Sequence, residues 1–418
     1  MIFPQLKLSS RFLLACTVIP LQAVNTPAQT VNPVIDWNKA LLTVVRTPNM
    51  QPATIHSTRN FAMMHLAIEE AVVASPPDRS DTETLQKVAA VAAAHRVLVA
   101  LYPNAATNLD QTYQSSLAAI TTTPNVHDVL EAISLGRRSA NRILKERAND
   151  GSAAAVAPYM FGTDPGSYQS TPPNFPKQPQ LVNWGNVEPF VLQTAAQFRP
   201  GPPPALDSAL YARSLTEVQS LGALIPGGAT PDQMLIGKFW NGSIQNYWNE
   251  IAQSATLARG LNTADTARVF ALLNVSLADA AIAFYEAKYQ YNFWRPVTAI
   301  REANPALTPG VNPDAQWLPE VTNTAPDPSY PGAHAVISAA AAEVLISTLK
   351  TDWLSIDVTS EVMGGVLRHF DSISDAEAEA TRSRVYAGAH FSFDLTAGER
   401  LGRRVAAFVL EGRPERRR

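Results

Sequence analysis

At 418 residues, with 46% hydrophobic and 17% charged side chains, the composition is that of a globular protein with a sizeable core, which excludes a disordered chain. A formal net charge of −3 and a pI near 6.2 exclude a global positive field for nucleic acid or an anionic membrane, so any anion site has to be local.

The N-terminus reads as a signal peptide over residues 1–28. Lys7 and Arg11 supply the positive region, and Phe12 to Val24 supply an apolar stretch too short to span a bilayer. Cleavage after Ala23 or Ala28 is expected, giving a secreted or periplasmic protein. The single cysteine, Cys16, lies inside that segment, so the mature chain would hold neither thiol nor disulfide.

Residues 29–204 read as an N-terminal helical region that ends in a proline-rich connector. Apolar residues at three- and four-residue spacing predict helices over Val34–Arg46 and Thr54–Ala74. A third follows Asp81 and stops before Pro103, and two more fit Asn108–Ile120 and Val126–Ala148. From Pro158 to Pro204 the prolines preclude long helices, predicting a loop that wraps the body or covers a pocket mouth. Residues 205–418 read as a C-terminal helical region that carries the site. Helices are expected over Asp207–Gly222, Pro231–Leu257 and Thr263–Tyr289, then, past an irregular stretch, over His334–Leu349, Ser360–Phe370 continuing from Asp375, and Phe391–Leu410. No strand alternation of convincing length is visible, so the class is all-α and no membrane span is expected. The basic ending, Arg413 to Arg418, reads as a solvated tail.

Three late segments hold the chemistry: EAKYQYNFWRPVTAIRE at 286–302, DPSYPGAHA at 327–335 and SRVYAGAHFSFD at 383–394. In a continuous helix Lys288 and Arg295 share nearly one face, among Tyr289, Tyr291, Phe293 and Trp294, where a bound anion would be strongly felt. Alone on a surface helix the pair would simply be solvated. Pro331, Gly332 and Ala333 lead into His334 at the start of an alanine-rich helix, where free backbone N–H groups favour an anion and the imidazole can move a proton. Alone, that run is equally a turn before a helix. Asp394 follows His390 by one helical turn, so it can hold one ring nitrogen and leave the other as nucleophile or metal ligand. Arg384 reaches the same site most easily if the chain bends near Gly388.

The order Lys, six residues, Arg-Pro, then Pro-x-x-His, then Ser-Arg-x-x-x-Gly-x-His-x-x-x-Asp resembles the signature of the type 2 phosphatidic acid phosphatase and vanadium haloperoxidase superfamily. The run Phe293-Trp294-Arg295-Pro296 is closer to chloroperoxidase-like members than to the small bacterial phosphatases. The resemblance implies a helical body of two packed four-helix bundles with the active site in the C-terminal one. It implies that Lys288, Arg295 and Arg384 neutralise the equatorial oxygens of vanadate or phosphate. His390 would be the metal ligand to vanadium, or the attacker of phosphorus, with Asp394 orienting it and His334 as general acid and base. The family usually reads Pro-Ser-Gly-His. Here it is Pro331-Gly332-Ala333-His334, so the serine hydroxyl is absent and the N–H groups of Gly332 and Ala333 are expected to donate in its place.

The implied function is a secreted vanadium-dependent haloperoxidase with vanadate as cofactor and with hydrogen peroxide and a halide or organic molecule as substrates. The same cage suits a phosphate ester, because vanadate and phosphate share charge and tetrahedral shape. An acid phosphatase with a phospho-His390 intermediate and no cofactor is therefore the alternative, and an oxyanion-binding protein without turnover is the third. Among the remaining histidines, His56, His65, His95 and His127 are expected in packing or surface roles, whereas His369, close to Asp371, is the one to watch for approach to the pocket.

Overall fold

Helix starts follow local capping chemistry. Asn32 accepts from the Val34 N–H ahead of α1 (Pro33–Arg46), whose first residue is a proline that has no N–H to lose. His56 caps α2 (Ser57–Ala74) in the same way through its Nδ1, which accepts from the Thr58 N–H. These elements belong to a computed structural model that describes residues 32–77, 80–120, 125–225 and 227–412. The expected signal segment with Cys16 and the basic ending from Arg413 lie outside the described residues.

The helices gather into two groups. In the first, α2, α3 (Thr82–Leu101) and α5 (Val126–Glu146) pack together, with α1 and α4 (Ala106–Ala118) against α3. In the second, α9 (Thr263–Tyr291), α11 (Ala333–Leu349) and α13 (Ser392–Gly412) pack together, flanked by α8 (Ile244–Ala258) and α12 (Ile373–Tyr386). The 29-residue α9 also packs on α2 and so joins the groups. Helices α3 and α9 are long and apolar enough to cross a bilayer, but 94% of the α9 window is buried inside the protein, as for a core helix. Between α11 and α13 small residues bring the backbones together: a Cβ on Gly402 would lie 2.1 Å from the Val336 carbonyl oxygen.

The all-helical class holds, with two local corrections. Ser360–Phe370 is not helical. It is the turn and second strand of a hairpin, β1 (Trp353–Thr359) and antiparallel β2 (Leu367–Ser372), with Asp357 opposite His369. Ile356, Val358 and Phe370 point inward while their neighbours face out, a two-residue period, and Gly364 and Gly365 occupy the turn, where a helix would be weakest. The expected helix over Pro231–Leu257 is two helices, α7 (Pro231–Phe239), opened by a Thr230/Gln233 capping box, and α8. Trp240 to Ser243 separate them, and the Ser243 N–H turns to Glu361 Oε2 at 2.7 Å.

The proline-rich connector wraps the body as expected, with a short 3-10 turn at Trp184–Asn186 as its helical element. It is tied down by polar anchors. The fully buried Asp279 of α9 accepts the N–H groups of Phe190 (2.6 Å), Val191 (2.8 Å) and Leu192 (2.9 Å). Further back, Asp150 binds the buried Arg59 and Arg147. The connector then runs beside the end of α9, where the Tyr168 N–H meets the Asn292 carbonyl and the Trp294 N–H meets the Gly166 carbonyl. Asp279→Ala leaves three N–H groups without their acceptor. It should cost about 3 kcal/mol or more of stability, seen as a lowered unfolding midpoint in denaturant.

Candidate active site

Of the chain segments that converge on a cavity of about 1080 Å³, four carry the motif residues and their partners: the end of α9 with the turn to α10 (Pro296–Arg301), the loop from Asp327 into α11, the break between α7 and α8, and the bend from α12 into α13. Arg295, Asp327, His334, Arg384 and His390 line it, together with Asn241 from the α7–α8 break. Lys288 and Asp394, both fully buried, stand behind that wall.

The bend near Gly388 is present. Gly388 has φ +72°, and a Cβ there would lie 2.3 Å from the Gly222 carbonyl oxygen, so neither the backbone nor the space admits another residue. It returns the chain so that the His390 N–H meets the Arg384 carbonyl and both side chains face the cavity. His390 Nδ1 lies 3.0 Å from Asp394 Oδ2, which also accepts from Ser329 Oγ (2.6 Å) and the Phe391 N–H (3.1 Å). A carboxylate can only accept, so Nδ1 carries the hydrogen and Nε2 the lone pair, 3.0 Å from Arg295 Nη1. Burial, then the charges of Arg295 and Lys288, hold the His390 imidazole neutral, well below its ordinary pKa. Burial pushes the Asp394 carboxyl up to about 6, against the Ser329 hydrogen bond and the Lys288 charge. Behind the pair, Phe391 stacks on Phe393 with centroids 4.9 Å apart, and Phe293 and Tyr211 close the apolar backing.

Lys288 and Arg295 do meet, but not along one helix. Asn292 adopts the left-handed conformation (φ 52°) and ends α9, and Arg295 is the N-cap of α10. They meet at Asp327: its Oδ1 is 2.9 Å from Lys288 Nζ and 2.6 Å from Arg295 Nη2. Burial opposes ionisation of Asp327, but the two cations outweigh it and hold its pKa below the ordinary value. Burial pulls the Lys288 ammonium down to about 8 despite Asp327.

Arg384 is different. Among the described residues no carboxylate pairs with it. Its Nη1 and Nη2 each reach only the neutral Asn241 Oδ1, at 3.3 Å, and its buried Nε has no partner. Burial, reinforced by Arg295, pulls this guanidinium down to about 9.

His334, in the first turn of α11, places Nε2 2.9 Å from the Trp240 carbonyl oxygen. A carbonyl only accepts, so Nε2 bears the hydrogen and Nδ1 is left as the base. Burial and then Arg384 keep this ring neutral, well below its usual pKa. Gly332 is corrected out of the donor set: its N–H is engaged by the Asp394 carbonyl oxygen at 3.0 Å, and it packs on Leu395. Ala333 does line the cavity.

Asp327, Ser329, Asn241 and Gln180 were not singled out from the sequence. Two of them lie in the DPSYPGAHA segment, which was the available signal, and Asn241 lies in an Asn-Gly-Ser turn that the apolar periodicity around it masks. His56 is also corrected, since it lines the cavity as well as capping α2. His369 does not approach the pocket. It is exposed on β2 between Asp357 (2.7 Å) and Asp371 (3.5 Å). His65 is buried against Asn38, His95 pairs with Asp110, and His127 is exposed on α5.

Because the folded Lys288 loses its proton near pH 8, the pocket's positive charge falls by one as the pH rises through that value. Phosphate affinity, followed by calorimetry across this range, should weaken above about pH 8 beyond the change due to phosphate itself, and Lys288→Met should lack that additional step.

Residues 268–414 match the model of the VCPO second helical-bundle domain. Vanadium chloroperoxidase of Curvularia inaequalis is 25% identical over an alignment of 509 residues that covers 91% of this chain and 82% of the relative. The crystal structure of the first bacterial vanadium-dependent iodoperoxidase superposes with a TM-score of 0.76 at 27% identity, covering 91% of this chain and 95% of that one. The holo-type bacterial vanadium-dependent chloroperoxidase shares the fold, with a TM-score of 0.64 at 14% identity, covering 92% and 93% of the two chains. The three motif blocks, the helical architecture and these likenesses coincide: residues 268–414 carry the haloperoxidase second helical-bundle domain, and the chain is similar in sequence and fold to vanadium-dependent haloperoxidases.

Proposed function

We propose that this chain is an exported vanadate-dependent peroxidase that uses hydrogen peroxide to oxidise a halide or an organic molecule. The observation that carries the reading is Arg384, a buried guanidinium with no carboxylate among the described residues and an unpartnered Nε, at the cavity where His334 and His390 converge. A charge held this way in a protein interior is stabilised by a bound anion. The relatives' names, chloroperoxidase and iodoperoxidase, support peroxide and halide as the substrates.

The residues fit a tetrahedral oxyanion. Arg384, Arg295 and Lys288 supply the opposing charge, the start of α11 at Ala333 supplies N–H groups, and His390 Nε2 has the lone pair for vanadium. Bound vanadate supplies the Lewis acidity that activates peroxide. The chain's own groups do the rest. Asp394 holds the His390 Nδ1 proton and fixes the ring, and the aromatic backing excludes water behind it. His334 takes a proton at Nδ1 from the entering peroxide and returns it to the departing oxygen.

An acid phosphatase is the second reading, supported by the same cage of Lys288, Arg295 and Arg384, which suits a phosphate ester as well as vanadate. A phosphate ester would then occupy the cage and its negative charge would raise the basicity of His334, letting Nδ1 take up a proton from solvent; His390 Nε2 would form a bond to phosphorus as the bond to the ester oxygen breaks and that oxygen leaves with the His334 proton.

Protein loaded with orthovanadate should halogenate a phenolic dye only when peroxide and halide are both present, and His390→Ala should lower that rate by about a hundredfold or more. No halogenation from mildly acidic to neutral pH, with vanadate-inhibited ester hydrolysis and a trapped phospho-His390 instead, would overturn the peroxidase reading in favour of the phosphatase. Export rests on Lys7, Arg11 and the apolar run that follows. N-terminal sequencing of the exported fraction should begin near Val24 or Gln29, and a protein retained inside the cell with an intact Met1 would contradict it.

A further inference from the structure

Counting donors exposes an internal competitor in the cage. The Lys288 ammonium has three N–H groups and three acceptors: Asp327 Oδ1 at 2.9 Å, the Ser329 carbonyl at 3.1 Å and the Pro328 carbonyl. Arg295 directs Nε to the Asp327 carbonyl (2.8 Å), Nη2 to Asp327 Oδ1 (2.6 Å), and Nη1 to the Ala389 carbonyl (2.9 Å) and His390 Nε2 (3.0 Å). One N–H of Nη2 is left. Two of the three cations are therefore satisfied within the fold. The carboxylate that satisfies them is 4% exposed and lines the same cavity.

Asp327 is also held in place from its far side. Its Oδ2 accepts from Gln180 Nε2 at 2.6 Å, the Gln180 N–H donates to the Pro326 carbonyl at 2.8 Å, and the Tyr289 hydroxyl donates to the Gln180 carbonyl. An arm of the proline-rich connector thus presses the carboxylate against the cations.

We propose that Asp327 is a built-in counter-ion that competes with the tetrahedral oxyanion for Lys288 and Arg295, and that the Gln180 tether sets how strongly it competes. The inference rests on the oxyanion reading of the pocket. An arriving anion meets Arg384 and the start of α11 first, because among the described residues no carboxylate pairs with that guanidinium. It gains Lys288 and Arg295 only as Asp327 yields, since two anions on one donor set repel at short range. Asp327 has a second effect in the ligand-free protein, where it compensates buried positive charge that would otherwise destabilise the fold. Anion affinity is thereby held below what three unopposed cations would give.

The test is calorimetric titration of orthovanadate and of inorganic phosphate into the wild type, Asp327→Asn and Gln180→Leu, with thermal unfolding measured with and without each anion. Asp327→Asn keeps the shape and removes the charge. It should bind both anions about tenfold or more tightly, unfold at a lower temperature without them, and show a larger anion-induced rise than the wild type. Gln180→Leu keeps the carboxylate and loosens its tether, and should bind about threefold more tightly. Wild-type or weaker affinity in a folded Asp327→Asn overturns the proposal. Should that variant fail to fold, unchanged affinity in Gln180→Leu overturns it. Binding by Asp327→Asn alone is the strongest form of the expected result, whereas no binding by the wild type and either variant removes the oxyanion reading together with the proposal.

Discussion

Burying positive charge is the constraint around which the C-terminal half of this molecule is arranged. Lys288, Arg295 and Arg384 are withdrawn from water, and a cation in a protein interior needs a partner or loses its charge. The fold meets that demand unevenly. Asp327 and the carbonyls of its loop serve Lys288 and Arg295, while Arg384 has only a neutral amide among the described residues. That asymmetry explains why the loop before α11 follows its course, why the connector must reach Asp327 through Gln180, and why an anion is the natural complement of the space beside Arg384.

The neutral imidazoles follow from the same surplus of charge. His334 is engaged at Nε2, and His390 at both ring nitrogens, Nδ1 by Asp394 and Nε2 by Arg295, while burial together with the neighbouring cations keeps both rings neutral. An entering anion would offset that field, so the basicity of both rings is coupled to occupancy of the pocket. The polar work is concentrated on the cavity side, and the phenylalanines behind His390 supply the apolar wall.

Much of this was legible in the sequence because the chemistry-bearing residues come in three short blocks of fixed spacing. Lys288, Arg295, His334, Arg384, His390 and Asp394 all converge, and the bend at Gly388 was foreseeable from the angular mismatch of Arg384 and His390 on a continuous helix. What stayed hidden depends on tertiary convergence. Asp327 reads as an ordinary loop acid until two cations more than thirty residues upstream are placed against it. The apolar period runs through residues 231–257 despite the turn at Asn241, so the contacts to Arg384 and His334 were masked by a helix that seemed continuous in pattern. The hairpin at 353–372 was lost because a short apolar run does not by itself distinguish a two-residue from a three- or four-residue period.

The break between α7 and α8, the tethering glutamine and the motif blocks are spread from residue 180 to residue 394, so the pocket is made almost wholly of contacts between segments distant in the chain. Such contacts pay loop-closure entropy before they return any stabilisation, and they form late in folding. Helices of either bundle can therefore be native-like in a chain that has no pocket at all. Recovery of anion binding after denaturation would consequently report completed assembly of the whole body, where helical signal alone would not.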